Sequence, residues 1–336
     1  MIARKENCVE MYKEGGIELL MMIAKSCVEN EETIRLCIQV IRVITYANDE
    51  GIPLLLQNEF FMLLEMLFKT YPLSSCVLIQ CFYSILHIQE QKQLFLLSDL
   101  LDTRIIKTIS IVLEKHREPR LLKISFTILY ELISNAKNED AIRVRREIED
   151  CNIIPLSVSV IQFISIDSES LISALSFFIL FSKEGALFII VVMDYSACSV
   201  LSDLDAIPLI ISLCVSYVEK KDKGIVTQVL GIVSNLLVAS QKHQRNGDII
   251  IMKLLANDLV QLIDKLLVIF PKDKRIIYQC VTSLAVLSFT AEGMVYLKNS
   301  MLLIDHLQAT VATLTNLPQT VELATIVLKK LGCVIT

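Results

Sequence analysis

The chain has 336 residues, 54% of them hydrophobic and 21% charged, and its 32 basic and 37 acidic side chains leave a net charge of −5. That composition excludes a disordered chain, a collagen and a small disulfide-stapled scaffold, and the lack of a clustered positive field excludes a dedicated nucleic-acid binder. A mean hydropathy of +0.57 is high, so the placement of the apolar residues decides whether a membrane is involved.

Residues 1–16, MIARKENCVEMYKEGG, carry six charges, unlike a secretory leader. They read as a short first helix that ends at a Gly15-Gly16 corner. Residues 17–27, IELLMMIAKSC, and 59–68, EFFMLLEMLF, repeat apolar side chains at helical spacing. The same pattern continues along the chain, while strand-like alternation between turn clusters is hard to find with only nine Gly and seven Pro. The predicted class is all-α.

Polar breaks fall at residues 29–32, 71–75, 116–120, 167–169, 219–224, 271–274 and 316–319. Pro72, Pro119, Pro271 and Pro318 lie in four of them. Proline cannot continue a preceding helix but is tolerated in the first turn of the next. Two uncharged runs, 151–166 and 224–241, come nearest to membrane spans. Pro155, Ser157, Ser159 and Gln162 in the first, and Thr227, Gln228, Ser234, Asn235, Ser240 and Gln241 in the second, make both too polar. Buried helices are expected there.

The helices recur as a three-part unit. A short amphipathic segment comes first, opened at Glu50-Gly51-Ile52, Glu184-Gly185-Ala186 and Glu292-Gly293-Met294. A strongly apolar helix, a polar break and a third helix follow. The third helices align at Val43, Ser84, Glu131, Leu180, Asn235, Val286 and Lys330, roughly every 48 residues, near the period of HEAT and armadillo arrays. One domain, 1–336, is expected, with repeats near 4–48, 49–90, 91–138, 139–183, 184–241, 242–291 and 292–336. Residues 136–150, 184–198 and 240–248 read as insertions.

Nothing in the motifs points to catalysis. No phosphate-binding glycine loop, GxSxG elbow, HExxH or calcium loop occurs. Ten scattered cysteines without a CxxC read as buried, reduced thiols, and hence as a cytoplasmic chain. Cys76, Cys81 and His87 are the nearest thing to a metal cluster, but five helical residues turn the two thiols about 140° apart. The expectation is no enzyme, no cofactor and no metal. Arg143, Arg145 and Arg146, and Lys220, Lys221 and Lys223, have acidic neighbours and read as solvated loop faces.

The candidate binding residues lie on the third helices. One turn before the aligned positions stand Gln39, Gln80, Thr127, Ser176, Gly231, Thr282 and Ile326, a largely polar row on otherwise apolar helices. Residues i and i+4 share a helix face, so this row and the aligned Val43, Ser84, Glu131 and Asn235 read as one continuous solvent-facing stripe, which would line any groove. Tyr46, Tyr83, His87, Tyr130 and Phe289 would add contact area, with His87 facing the groove. The competing reading is a hydrated surface without a ligand. The uncharged run Ala186–Met193, ALFIIVVM, is a candidate for self-association or docking, against packing on its own repeat.

Residues 12–58 carry GGIELLMMIAKSC, NEETIRLCIQVIRVITYA and NDEGIPLLLQN, which resemble the armadillo repeat family. The likeness returns at Ala206-Ile207-Pro208-Leu209 and over residues 231–237, GIVSNLL. HEAT repeats are the near alternative. The resemblance implies a right-handed α-solenoid of six to seven three-helix repeats, whose third helices line a concave groove for extended peptides or partner helices. In peptide-binding members an asparagine on each third helix clamps the ligand, often beside a tryptophan. Here only Asn235 stands at that position and there is no Trp, which departs from nuclear-signal recognition of the importin-α type. The implied function is a non-enzymatic scaffold or adaptor that binds protein partners along the groove or at the solenoid ends, not nucleic acid or a membrane. The alternative is a structural subunit fixed in a large assembly, for example a cytoskeletal or ciliary one.

Overall fold

A computed structural model describes residues 5–48, 50–90, 97–164, 167–182, 197–242, 244–313 and 317–333, and among them every regular element is helical. The chain divides into two compact units, Met1–Phe177 and Phe178–Thr336.

In the first unit the helices succeed one another in threes. They are α1 (Lys5–Lys13), α2 (Gly16–Ser26) and α3 (Glu31–Ala47), then α4 (Gly51–Gln57), α5 (Phe60–Thr70) and α6 (Ser75–Glu90). Next come α7 (Leu97–Asp102), α8 (Ile105–Lys115) and α9 (Pro119–Asn135), and then α10 (Asn138–Asp150), α11 (Ile153–Ile164) and α12 (Ser168–Ser182), within which the division falls. The second unit continues with α13 (Ala197–Asp203), α14 (Ala206–Glu219) and α15 (Lys223–Lys242), then α16 (Gln244–Ala256), α17 (Leu259–Ile269) and α18 (Lys274–Leu287). It closes with α19 (Ala291–Lys298), α20 (Met301–Thr313) and α21 (Pro318–Lys330). The architecture is an α-solenoid.

Packing follows position within the triplet. In the first unit the third helices α3, α6 and α9 lie side by side, and the second helices α2, α5, α8 and α11 form a row of their own. In the second unit α15, α18 and α21 form the first kind of row and α14, α17 and α20 the other. Each third helix in these rows therefore buries one stripe on its own second helix and others on its neighbours. This packing takes up much of the high apolar content.

Every polar break is the entry to a third helix. Pro119 and Pro318 open α9 and α21, where the missing N–H costs nothing. Asn30 accepts a hydrogen bond from the Thr33 N–H at 3.0 Å and caps α3. Asp273 caps α18 through the Arg275 and Ile276 N–H groups. The breaks also bind one another. Tyr71 donates to the Val28 carbonyl at 2.6 Å, Ser74 to Glu31 at 2.6 Å and Ser170 to the Pro119 carbonyl at 2.9 Å. In the second unit Lys223 pairs with Asp273 at 3.2 Å.

The corner between first and second helices uses a left-handed residue. Gly15, Glu59, Arg104, Asn152, Asp205 and Asp258 all hold φ between 51° and 74° just before a second helix. Only Gly15 adopts that conformation without steric cost. Its neighbour Gly16 is needed for another reason: a Cβ there would sit 2.6 Å from the Met11 carbonyl oxygen.

Two expectations change. Residues 136–150 and 240–248 are not insertions between repeats. They contain α10 and the start of α16, first helices of 13 residues each where α4 has 7. The intervals that hold α10 and α16 thus reflect longer first helices, and the third expected insertion, 184–198, lies mostly outside the described residues. Residues 186–193 lie outside the described residues.

The run from 224 to 241 is one helix, α15. By length and composition it is the one described helix able to cross a membrane unbroken. In the fold its Ile225, Val229, Ile232, Val233, Leu236 and Leu237 are buried, with α14, α16 and α18 packed around it. Cys81, Cys214 and Cys280 are buried thiols whose ionisation burial opposes, the first two pushed up to about 12. They serve as small core residues.

Gly16→Ala is expected to cost about 2 kcal/mol in urea denaturation, because the α1–α2 corner must open to admit the methyl group. At Asp273 burial opposes ionisation, but the Ile276 and Arg275 N–H groups and Lys223 outweigh it and hold the carboxyl below the usual range. A depressed folded value contributes stability above the unfolded pKa and loses it as pH falls through the folded one. Asp273→Ala should therefore cost about 1 kcal/mol at pH 7 and progressively less below about pH 4.

Candidate interaction surface on the third helices

The row predicted one turn before the aligned positions has a uniform environment. Gln39, Gln80, Thr127 and Ser176 in the first unit, and Gly231, Thr282 and Ile326 in the second, are all half-buried. This is the stripe left over after a helix has packed on its flanking neighbours. Part of its hydrogen-bonding capacity is spent locally. Thr127 donates to the Lys123 carbonyl at 2.9 Å and Thr282 to the Tyr278 carbonyl at 2.8 Å, each bonding back one turn. Gln39 accepts from Arg35 at 3.0 Å. The side-chain amide oxygen of Gln80, Oε1, is buried without a partner.

The aligned positions are more varied. Val43 and Glu131 are half-buried, and Glu131 accepts from the Asn135 amide at 3.0 Å. Ser84 is 3% exposed and donates to the Gln80 carbonyl at 3.0 Å, so it belongs to the α6 packing face rather than to a groove. His87 is likewise not groove-facing. It is 4% exposed and lies beneath Tyr46, the ring centroids 3.7 Å apart and the planes 23° from parallel. Neither imidazole nitrogen has a hydrogen-bond partner, and Glu90 stands 3.6 Å from Nδ1. Tyr46 itself is 51% exposed and presents its outer face to solvent.

Between these rows stands a group that sequence reasoning missed in part. Tyr83 on α6 has the guanidinium of Arg42 (α3) at 5.2 Å from its ring centroid and that of Arg120 (α9) at 5.1 Å. Arg120 Nε also donates to the Tyr83 hydroxyl at 3.1 Å. Arg42 sits three residues after Gln39 and four before Tyr46, on the same face. That spacing was the available signal. Arg120 lies in a polar break and carried none.

In the second unit the row is sparser. Asn235, the one residue at the family's clamp position, donates its amide to the Ile179 carbonyl at 3.1 Å and to the Ser182 hydroxyl at 3.0 Å. That Nδ2 group ties α15 to the end of α12. Phe289 is 62% exposed, with Lys330 Nζ 3.4 Å from its ring centroid. The side-chain amide oxygen of Gln279, Oε1, is buried without a partner.

Among the described residues no group of three or more His, Cys, Asp or Glu side chains could hold a metal. Cys76 is exposed while Cys81 and His87 are buried. Arg143 and Arg145 lie on a helix, α10, not a loop, and pair with Asp102, Glu147 and Glu149. His306 gains a carboxylate partner unseen in sequence, Asp264 at 2.6 Å. On the second-helix side, a cavity of about 480 Å³ is lined by Glu18, Met21, Met22, Lys25, Ser26 and Asn58.

No protein-family model and no curated protein matches this chain. Among solved structures, it is similar to a β-catenin chain from work on a phosphorylation switch that controls the interaction between cadherin and β-catenin. The two share 13% identity with a TM-score of 0.65 over 98% of this chain. The match spans 62% of the β-catenin chain, under two thirds of its length. At that identity the likeness concerns the fold, an armadillo-like solenoid.

Asn235→Ala is expected to cost about 1–2 kcal/mol, because the Ile179 carbonyl loses its donor from α15. Thermal denaturation of the variant checks this.

Proposed function

We propose that the chain is a non-enzymatic scaffold with repeats of the armadillo rather than the HEAT kind, whose third-helix face holds an extended or helical segment of a protein partner. One observation carries the reading. In the first unit a half-buried polar row of Gln39, Gln80, Thr127 and Ser176 crosses otherwise apolar, packed third helices. An extended chain offers one N–H and one C=O per residue and can pair both. The similarity to β-catenin, solved in work on its interaction with cadherin, is in keeping with a protein-binding role. Reduced thiols favour a cytoplasmic location.

A second reading, a subunit fixed permanently in an assembly, draws on the second-helix side. Leu19, Met22 and Met62 are exposed there.

Replacing Gln39, Gln80, Thr127 and Ser176 together by Glu separates the two. The scaffold reading expects at least a tenfold loss in the capture of native partners from cell extract, with helicity unchanged by circular dichroism. Capture that survives intact, but is lost when Leu19, Met22 and Met62 become Ser, overturns it in favour of the fixed subunit.

A further inference from the structure

We infer that Arg42 and Arg120 form a two-armed receptor for a carboxylate on an acidic, extended segment of the partner protein, with Tyr83 as the platform between them. The inference rests on the reading of the third-helix face given above.

The charge on this face is not evenly compensated. Arg35, on α3, donates to Glu32 at 2.6 and 2.8 Å, and Lys123, on α9, pairs with Glu169. These two cations are neutralised by the fold. Arg42 and Arg120 lie on the same two helices, and among the described residues neither has a carboxylate within 4.0 Å. Their uncompensated charge converges on one phenol ring, from 5.2 Å and 5.1 Å.

Each arm is held in place. Arg120 is anchored by its Nε–H to the Tyr83 hydroxyl at 3.1 Å, which leaves the terminal guanidinium nitrogens uncommitted to that bond. Arg42 stacks on the ring, and its shielded Nε has no acceptor. A planar guanidinium fixed at one end presents its remaining N–H groups in a fork that fits a carboxylate. Complementarity of charge therefore selects an acidic partner segment over a neutral or basic one, although the whole chain is itself acidic at −5.

The test uses the full chain and fluorescein-labelled libraries of 12-residue peptides with Glu at alternate positions and Ala, Leu, Ser or Tyr elsewhere. Matched libraries carry Gln or Lys in place of Glu. Fluorescence polarisation should show the Glu library binding at least tenfold tighter than the Gln library, with the Lys library weakest. Arg42→Gln combined with Arg120→Gln should bring the Glu library down to the Gln level. Arg120→Gln alone, at an exposed position and with helicity checked by circular dichroism, should lose about threefold. Equal binding of the Glu and Gln libraries, no binding of the Glu library, or a Glu preference that survives the double substitution overturns the proposal. Phosphatidylserine vesicles that bind through the two arginines where the peptides do not overturn it in favour of a lipid surface. Gln-library binding that is unaffected by the arginine variants, but lost in the variant with Glu at 39, 80, 127 and 176, sinks this proposal and leaves the scaffold reading standing.

Discussion

No triplet of helices in this chain can bury its own apolar surface, and everything else in each unit follows from that. A third helix such as α6 has apolar residues on several sides: Val77, Leu78, Cys81, Phe82, Ile85 and Ile88 are all buried. One second helix cannot cover them, so α6 must also lie between α3 and α9. Stacking is thus a condition of folding, in the manner of repeat proteins, and the stripe that remains after stacking is the candidate surface. The location of the candidate site is a geometric remainder of the core.

The contacts between neighbours are mostly dispersive and non-directional, so something else must fix their register. The polar breaks do this. Tyr71 on Val28, Ser74 on Glu31, Ser170 on Pro119 and Lys223 on Asp273 are all pairs between the entrances of consecutive or adjacent third helices. A break is therefore both a stop signal within one triplet and a peg to another. The exposed ion pairs among them contribute little energy individually. Their value is directional.

The starts of the third helices were legible from sequence, because proline and capping residues mark a helix entry by simple chemistry. The left-handed corners were not. Glu59 and Arg104 adopt φ of 62° for the sake of the turn, and nothing in a glutamate or an arginine announces it. Longer first helices looked like insertions because α10 is highly charged and its periodicity was masked by its arginines and glutamates. At the surface, the row through Gln39, Gln80 and Thr127 was readable as a helical period. His87 and Ser84 were misplaced because polarity alone does not tell which side of a thin stripe a residue falls on. Asn235 shows the same limit, since its amide bonds to a carbonyl 56 positions away in sequence. The pairing of Arg42 with Arg120 around Tyr83 depends on three helices meeting, which no local pattern encodes.

Couplings in the first unit run chiefly between adjacent triplets, so disorder introduced at one triplet has few routes to the next but one. Tyr83 is an exception in kind, because its ring touches side chains from the triplets on both sides. A segment seated on that ring and its two arginines is a strut across three triplets. Occupancy then changes the mechanics of the unit as well as its company: motions that the bare helices make independently become correlated along α3, α6 and α9. With the proposed segment in place, the unit's stiffness would be set in part by what is bound.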